Sequence, residues 1–273
     1  MKVVLFCGGQ GMRLRGYADD LPKPMVAIGN RPILWHIMKY YAHFGHTDFI
    51  LCLGYKGNLI KDYFLHYDES VSNDFVWSKG GKNVKFLSRD IDDWTITFVE
   101  TGDNANIGER LKAVEPYLKD DEVFLANYGD GLSDVPLPPM LESFKRSKAL
   151  ASLLLVQPTA SFDIVQADAA GLVTDVRALS RSDIWINGGF LQMRREILDY
   201  IRPGEELVRE PFHRLIEKKA LLAYKYTGFW QCMDTFKDKQ RLDELNQGAP
   251  PWKVWAQAAG PAPNGSRAIS IRA

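Results

Sequence analysis

The sequence predicts an α/β protein, a three-layer sandwich in which helices cover both faces of a mostly parallel central sheet, with a small β-rich lobe. Three observations support this fold class. The short apolar run Val3–Phe6 is typical of a strand buried on both faces. Strand and helix patterns then alternate from Val3 to about Tyr67, as in sheets built from parallel crossovers. A chain of 273 residues is also long enough to bury a substantial core.

The remaining elements follow from the spacing of apolar residues and from turn signals. Residues 68–93 are polar and have no clear period, so they predict a hairpin insertion with one strand near 84–87. Residues 161–177 predict a strand, a turn at Gly171 and a second strand. The other predicted strands cover 48–53, 94–100, 122–128, 150–156 and 184–192. The predicted helices cover 32–44, 57–67, 107–117, 140–148, 195–202, 210–219 and 237–246.

Composition limits the classes of function. The 34 basic residues balance the 34 acidic ones, so no overall field favours nucleic acid or a membrane surface as a partner. The three cysteines are far apart and have no zinc or redox spacing. Because the sequence shows neither a secretion signal nor a long apolar segment, we expect a cytoplasmic protein. A homo-oligomer is left open.

A glycine-rich turn follows the first strand. Gly8, Gly9 and Gly11 allow the backbone to turn sharply, and successive N–H groups in such a turn form an anion site. Arg13 adds a permanent cation, and Lys23 is held between two prolines close by. The spacing matches neither Gly-x-Gly-x-x-Gly nor a Gly-Lys-Ser/Thr loop. The stretch therefore predicts a polyphosphate site, with a tight structural turn as the alternative.

Two acidic residues are placed where chemistry is expected. Asp130 follows a predicted strand and lies between Gly129 and Gly131, at the sheet edge where α/β proteins bind ligands. Asp234 lies in a turn predicted over 230–235, after a buried-looking run in which a carboxylate needs a partner or a metal. Taken alone, a Gly-Asp-Gly sequence is usually only a turn.

These motifs carry a resemblance to a known family. The opening, residues 8–14 followed by Pro22–Met25, resembles the sugar-1-phosphate nucleotidylyltransferases. The later motifs are similar to those of the glucose-1-phosphate cytidylyltransferases, and the resemblance extends to about Trp255. The matching motifs are residues 33–38, 54–57, 128–131, 186–190 and 228–235. The resemblance implies a Rossmann-like domain over 1–255, with a sugar-binding lobe at about 158–235 and a flexible tail over 256–273.

The resemblance also implies a reaction. A sugar-1-phosphate oxygen would attack the α-phosphorus of a nucleoside triphosphate, CTP by resemblance, and pyrophosphate would leave. Asp130 and Asp234 would hold a divalent metal, Mg²⁺ before Mn²⁺, and with Arg13 and Lys23 they form the predicted catalytic set. The glycine turn, Arg13, Lys23 and Gly129 would bind the nucleotide. Arg110 also matches a nucleotide position, with a helix-surface arginine as the alternative.

The sugar side is predicted around residues 187–189. Asn187 offers hydrogen bonds to hydroxyls, and Gly188 and Gly189 permit close contact, although a strand bulge explains the glycines equally well. Trp230 is expected either to cover a sugar face or to pack in the core. Asp163 is assigned to the same side by its position in the family pattern.

The sequence departs from the family pattern at three positions. Ala178 stands where the family has a lysine that binds the sugar phosphate, Met12 replaces a Thr or Ser, and Asp163 replaces a glycine. All three positions handle phosphate or sugar. Nucleotidyl transfer is the leading interpretation. A flavin-independent, metal-dependent mutase acting on a nucleoside-diphosphate hexose, such as a GDP-hexose, is the second, and an inactive nucleotide-sugar-binding protein is the third.

Overall fold

The computed structural model describes residues 1–9, 21–159, 162–179 and 182–256. The strands are numbered in chain order as β1 (Val3–Phe6), β2 (Ala27–Ile28), β3 (Arg31–Pro32), β4 (Asp48–Leu53), β5 (Phe75–Ser78), β6 (Asn83–Phe86), β7 (Thr95–Glu100), β8 (Val123–Tyr128), β9 (Gly131–Ser133), β10 (Ala151–Val156), β11 (Asp163–Ala167), β12 (Val173–Ala178), β13 (Ile186–Asn187), β14 (Leu191–Arg194), β15 (Leu221–Lys225) and β16 (Trp230–Cys232). The α-helices are α1 (Ile33–His43), α2 (Gly57–Leu65), α3 (Ile107–Ala113), α4 (Leu137–Arg146), α5 (Glu210–Glu217) and α6 (Phe236–Asn246). Short 3-10 helices cover Lys23–Met25, Glu69–Val71, Lys79–Gly81, Glu115–Tyr117, Arg195–Tyr200 and Val254–Ala256.

One mixed sheet forms the centre of the protein. Its strands follow the order β13-β10-β14-β8-β1-β4-β7, and β15 also pairs with β10. Strands β8, β1, β4 and β7 run parallel, as do β10 and β15. Strand β14 is antiparallel to β8 and β10, and β13 is antiparallel to β10. The predicted α/β fold with a mostly parallel central sheet is confirmed.

Both faces of this sheet are buried. Val3 and Leu5 belong to one apolar core, whereas Val4 and Phe6 belong to a second core. The alternation arises because successive side chains of a strand point to opposite faces. Helices α1 and α4 contribute to the first core, and α3 and α5 to the second. The sandwich therefore has three layers, and β1 leads from its middle layer into the glycine turn.

The prediction of one continuous strand over residues 184–192 is wrong. This stretch contains two strands, β13 and the start of β14, which are separated by the three residues 188–190. Gly189 has φ 78° and Phe190 has φ 45°, left-handed values that end an extended strand. The backbone N–H of Phe190 donates to Oδ1 of Asn127 at 3.0 Å, so β8 stabilises the break.

Three further elements differ from the prediction. The turn expected over 230–235 begins with strand β16, which pairs with β9. Strand β15 was not predicted, although it lies in register with β10 over five residues. Residues 195–200 form a 3-10 helix in place of the predicted α-helix. In each case a tertiary contact or a short local turn outweighs the sequence pattern.

The predicted hairpin insertion is present, as β5 paired with β6. Its base is held by the carboxylate of Asp90, to which Asn73 donates at 3.0 Å and Lys39 at 3.2 Å. The thiols of Cys7 and Cys52 are buried and free, and burial raises the pKa of both. Along the described ranges, no helix is both long enough and apolar enough to cross a bilayer.

Candidate active site

A cavity of about 440 Å³ opens beyond the carboxyl ends of β1 and β8. Gly8 and Gly9 line it from the turn after β1. Lys23, Asp130 and Asp234 also line it, although more than 200 residues separate the first from the last. The sheet edge thus brings these predicted nucleotide and metal residues together.

The centre of the site is an ammonium between two carboxylates. Nζ of Lys23 lies 2.6 Å from Oδ2 of Asp130 and also donates to Oδ1 of Asp234. Burial lowers the pKa of Lys23, but the two carboxylates outweigh burial, so the pKa is raised and the lysine is charged. The side chain of Lys23 is 14% exposed, so water screens this pair of contacts only partly.

Local pairing explains why the two aspartates meet. Asp130 immediately precedes β9, and Asp234 lies two residues after the end of β16. These strands are antiparallel, with Gly131 opposite Cys232, and the N–H of Met233 donates to the carbonyl of Asp130 at 2.9 Å. The pairing therefore fixes the separation of the two carboxylates, and both accept hydrogen bonds from the Lys23 ammonium. Their binding of a metal stays a prediction.

Gly129 joins this turn to the glycine turn. Its N–H donates to the carbonyl of Phe6 at 3.2 Å. A Cβ at Gly129 would lie 3.0 Å from that carbonyl oxygen and 3.0 Å from Cγ of Pro24. Glycine therefore allows β1, β8 and the Pro-Lys-Pro segment to approach each other closely.

Arg110 is buried beneath the glycine turn. It is 2% exposed, so the alternative of a helix-surface arginine is wrong. Its guanidinium donates to the carbonyl of Gly8 at 3.0 Å, to the carbonyl of Leu53 at 3.2 Å and to Oγ1 of Thr101 at 2.7 Å. Burial lowers the pKa of Arg110, although arginine remains charged near neutral pH. The side chain thus connects the carboxyl ends of β1, β4 and β7 and contributes to the cavity wall.

Asn187, Gly188, Gly189 and Trp230 lie together, but none of them lines this cavity. Nε1 of Trp230 donates to the carbonyl of Gly188 at 2.8 Å, and Trp230 is only 9% exposed. The side chain of Asn187 is exposed and donates to the hydroxyl of Tyr128 at 3.2 Å. Trp230 therefore packs in the core, in agreement with the alternative prediction. The side-chain oxygen of Asn187 accepts a hydrogen bond from the N–H of Gly189 at 2.9 Å, so both ends of its amide have protein partners. Their binding of a sugar stays a prediction.

Two departures from the family pattern face each other. Strands β11 and β12 form an antiparallel hairpin in which Asp163 is paired with Ala178. Asp163 is exposed, and so are several apolar residues of the hairpin, including Val165 at 57% and Val176 at 60%. A carboxylate and an alanine thus lie opposite each other in the hairpin, and Asp163 does not line the cavity.

Gly11, Met12 and Arg13 lie outside the described residues, as does the predicted tail after Ala256. The lining residues to which the sequence analysis gave no role include Tyr128 and Glu206. Tyr128 directly precedes Gly129 at the end of a predicted strand, a position that favours a ligand site. Glu206 comes from a charged loop with no motif, so its sequence carried no comparable signal.

Asp130 and Asp234 fit a divalent cation in donor type and in geometry. Carboxylate oxygens are ligands that Mg²⁺ prefers. The carboxylates of Asp130 and Asp234 both contact the same ammonium, that of Lys23, so they lie close enough to contact one cation together. Within the described ranges, no group of three or more His, Cys, Asp or Glu side chains converges in this way. Oxygen atoms of a bound phosphate and water would therefore complete the coordination shell.

Comparison with known proteins places this site in context. The family model described as nucleotidyl transferase matches residues 2–177. The glucose-1-phosphate cytidylyltransferase of Salmonella typhi is 39% identical over 258 residues, covering 93% of this chain and 100% of the relative. The probable glucose-1-phosphate cytidylyltransferase of Bacillus subtilis is 36% identical, with the same coverage.

A solved structure supports the fold. The structure of HddC from Yersinia pseudotuberculosis superposes with a TM-score of 0.64 and 20% sequence identity, covering 90% of this chain and 99% of that chain. At this level of identity the likeness concerns the fold alone, and it agrees with the three-layer arrangement described above.

Proposed function

This chain belongs to the nucleotidyl transferase family, and we propose that it transfers a cytidylyl group from CTP to glucose 1-phosphate, forming CDP-glucose and pyrophosphate. The full-length similarity to two glucose-1-phosphate cytidylyltransferases supports this choice of substrates. The observation that carries the proposal is the convergence of Asp130 and Asp234 on one cation beside the glycine turn.

The protein's part in this reaction is positioning and charge neutralisation. The phosphate oxygen of the sugar phosphate attacks the α-phosphorus, and pyrophosphate leaves in line. Gly8 and Gly9 leave room for the triphosphate at the turn. The Lys23 ammonium lies within the cavity, where it can bind phosphate oxygens and stabilise the charge of the transition state. Arg13 is assigned the same role.

Mg²⁺, with Mn²⁺ as the other candidate, would be held by Asp130 and Asp234 and would neutralise phosphate charge. Arg110 supports the nucleotide site from beneath, because it fixes the carbonyl of Gly8. The sugar is assigned to the side of Asn187, Gly188 and Gly189, with Trp230 packed behind Gly188. We also propose the division into one domain over 1–255, with the sugar lobe at about 158–235.

Pyrophosphate release tests the proposal. The protein is incubated with Mg²⁺, each nucleoside triphosphate and a panel of sugar 1-phosphates, and products are followed by phosphorus NMR. We expect CTP and glucose 1-phosphate to give equal amounts of pyrophosphate and CDP-glucose. Absence of pyrophosphate with every pair would overturn the proposal. Rearrangement of a nucleoside-diphosphate hexose without pyrophosphate would support the mutase, and tight binding without turnover would support the binding protein.

A further inference from the structure

Glu206 lines the cavity from a different wall than the Lys23 site. It belongs to the loop before α5, whereas Lys23, Asp130 and Asp234 come from the ends of β8 and β16 and from the Pro-Lys-Pro segment. Tyr128 lines the cavity too, and the charges of both Glu206 and Asp130 act on its hydroxyl. A ligand whose phosphates bind at Lys23 can therefore contact a second charged group, the carboxylate of Glu206.

Close packing fixes the loop that carries Glu206. A Cβ at Gly108 would lie 2.2 Å from the carbonyl oxygen of Glu205, so glycine lets this loop rest directly on the start of α3. Nδ2 of Asn106 donates to the carbonyl of Gly204 at 3.0 Å, and Leu207 is fully buried. The carboxylate of Glu206 is therefore presented to the cavity from a rigid backbone.

Two adjacent glutamates in this loop have different surroundings. The carboxylate of Glu205 accepts hydrogen bonds from Arg214 and from the N–H of Arg202. The carboxylate of Glu206, in the part of the chain that the structure describes, accepts one long hydrogen bond, 3.4 Å from the N–H of Ile107. A carboxylate has about four acceptor positions, so this one bond from the described residues leaves Glu206, which lines the cavity, with acceptor capacity for a ligand.

We propose that Glu206 selects the base of the nucleotide by accepting a hydrogen bond from an exocyclic amino group, which in CTP is N4 of cytosine. This inference rests on the proposed function and extends it to base recognition. Uracil and thymine carry a carbonyl oxygen where cytosine carries N4, and that oxygen is repelled by a carboxylate. The charge on Glu206 thus favours cytosine, which carries an amino group at this position, over uracil and thymine, which carry a carbonyl oxygen there.

The test compares Glu206→Gln with the wild type. The glutamine amide can donate to a carbonyl oxygen, so we expect kcat/KM for CTP to fall about tenfold or more while kcat/KM for UTP stays level or rises. Glu210→Gln is the matched control, because Glu210 is exposed and does not line the cavity. All four nucleoside triphosphates are assayed, since adenine and guanine also carry amino groups.

Several outcomes would overturn the inference. Equal losses of kcat/KM with CTP and with UTP would mean that Glu206 only stabilises the start of α3. A rise confined to the KM of glucose 1-phosphate would assign Glu206 to the sugar. Calorimetric binding of CMP and UMP to both proteins needs no turnover, so it tests base selection even if the wild type fails to form CDP-glucose. If Glu206→Gln unfolds, Glu206→Asp keeps the charge and must still favour CMP over UMP.

Discussion

Nζ of Lys23 lies 2.6 Å from Oδ2 of Asp130, and the same ammonium is hydrogen-bonded to Asp234. The Lys23 ammonium thus offsets part of the negative charge of the two carboxylates. A divalent metal bound by these carboxylates would lie close to the same ammonium, and like charges repel at such distances. Phosphate groups of a nucleotide offer Lys23 other partners. Metal binding is therefore expected to follow nucleotide binding.

The first prediction concerns the affinity of the free protein for Mn²⁺, measured by electron paramagnetic resonance. Lys23→Gln removes the competing ammonium, so we expect Mn²⁺ to bind about tenfold more tightly than to the wild type, which corresponds to roughly 1.4 kcal/mol. Turnover should nevertheless fall, because we also assign phosphate binding to this lysine. Lys61→Gln, which changes an exposed lysine paired with Glu100, is the control. Unchanged Mn²⁺ binding in Lys23→Gln would contradict competition at this site.

The second prediction concerns the two carboxylates. Asp130→Asn and Asp234→Asn each remove a hard, charged ligand, so metal-dependent turnover should fall by about 100-fold or more. Lys23 keeps the other carboxylate as a partner, and both aspartates are partly exposed, so we expect folding to be retained. Pyrophosphate release and thermal unfolding are measured together, with the exposed Asp62→Asn as the control. Full activity in either variant would refute the metal assignment.

These two carboxylates show what the sequence could predict. Asp130 was found because an apolar run followed by Gly-Asp-Gly marks the end of a buried strand, and the same logic located β1 and the glycine turn. That Asp234 lies beside Asp130 could be inferred only from resemblance, because it depends on the pairing of two three-residue strands, β9 and β16. Such short strands show no periodicity in the sequence, and whether they form depends on the strands with which they pair.

The positions of Arg110 and Glu206 could not be predicted from the sequence. Both lie in charged stretches that are typical of a protein surface, but tertiary packing places them against the cavity. Arg110 lies in a helix with acidic and basic neighbours, and its burial is explained by its hydrogen bonds to Gly8, Leu53 and Thr101, which are distant in sequence. Strand β15 was missed for a similar reason, since its five residues gain their register from β10.

The third prediction separates two neighbouring glycines. A Cβ at Gly8 would lie 2.0 Å from Nη1 of Arg110, whereas a Cβ at Gly9 would meet nothing described within 4 Å. Gly8→Ala must displace a guanidinium held by Leu53 and Thr101, so we expect a loss of about 1–3 kcal/mol in the free energy of unfolding.

Gly9→Ala is the matched control for that experiment. It should change the free energy of unfolding by less than about 0.5 kcal/mol, since its methyl group meets no atom of the described residues within 4 Å. Urea denaturation of both variants measures the difference. Equal stability of the two would mean that Arg110 moves aside freely and does not fix the carbonyl of Gly8.

The last prediction concerns His36, which is 2% exposed. Its Nε2 lies 3.0 Å from the carbonyl of Ile28 and its Nδ1 lies 3.4 Å from Nε1 of Trp252, so the neutral ring donates at Nε2 and accepts at Nδ1. Protonation would leave Nδ1 facing another donor. Burial, together with the positive charges of Lys253 and Arg31, lowers the pKa of His36 from 6.5 to about 4.

Because the folded pKa is below the unfolded value, the unfolded chain takes up a proton first as the pH falls. The stability that neutral His36 contributes above pH 6.5 is therefore lost between about pH 6.5 and pH 4. The shift corresponds to at most about 3 kcal/mol. His36→Gln removes this ionisation, so its free energy of unfolding, measured by urea denaturation across this window, should fall less steeply than that of the wild type. The pKa of His46 is also lowered to about 4, but both proteins contain His46, so its contribution cancels in the difference. Parallel curves for the two proteins would show that His36 does not supply this acid sensitivity.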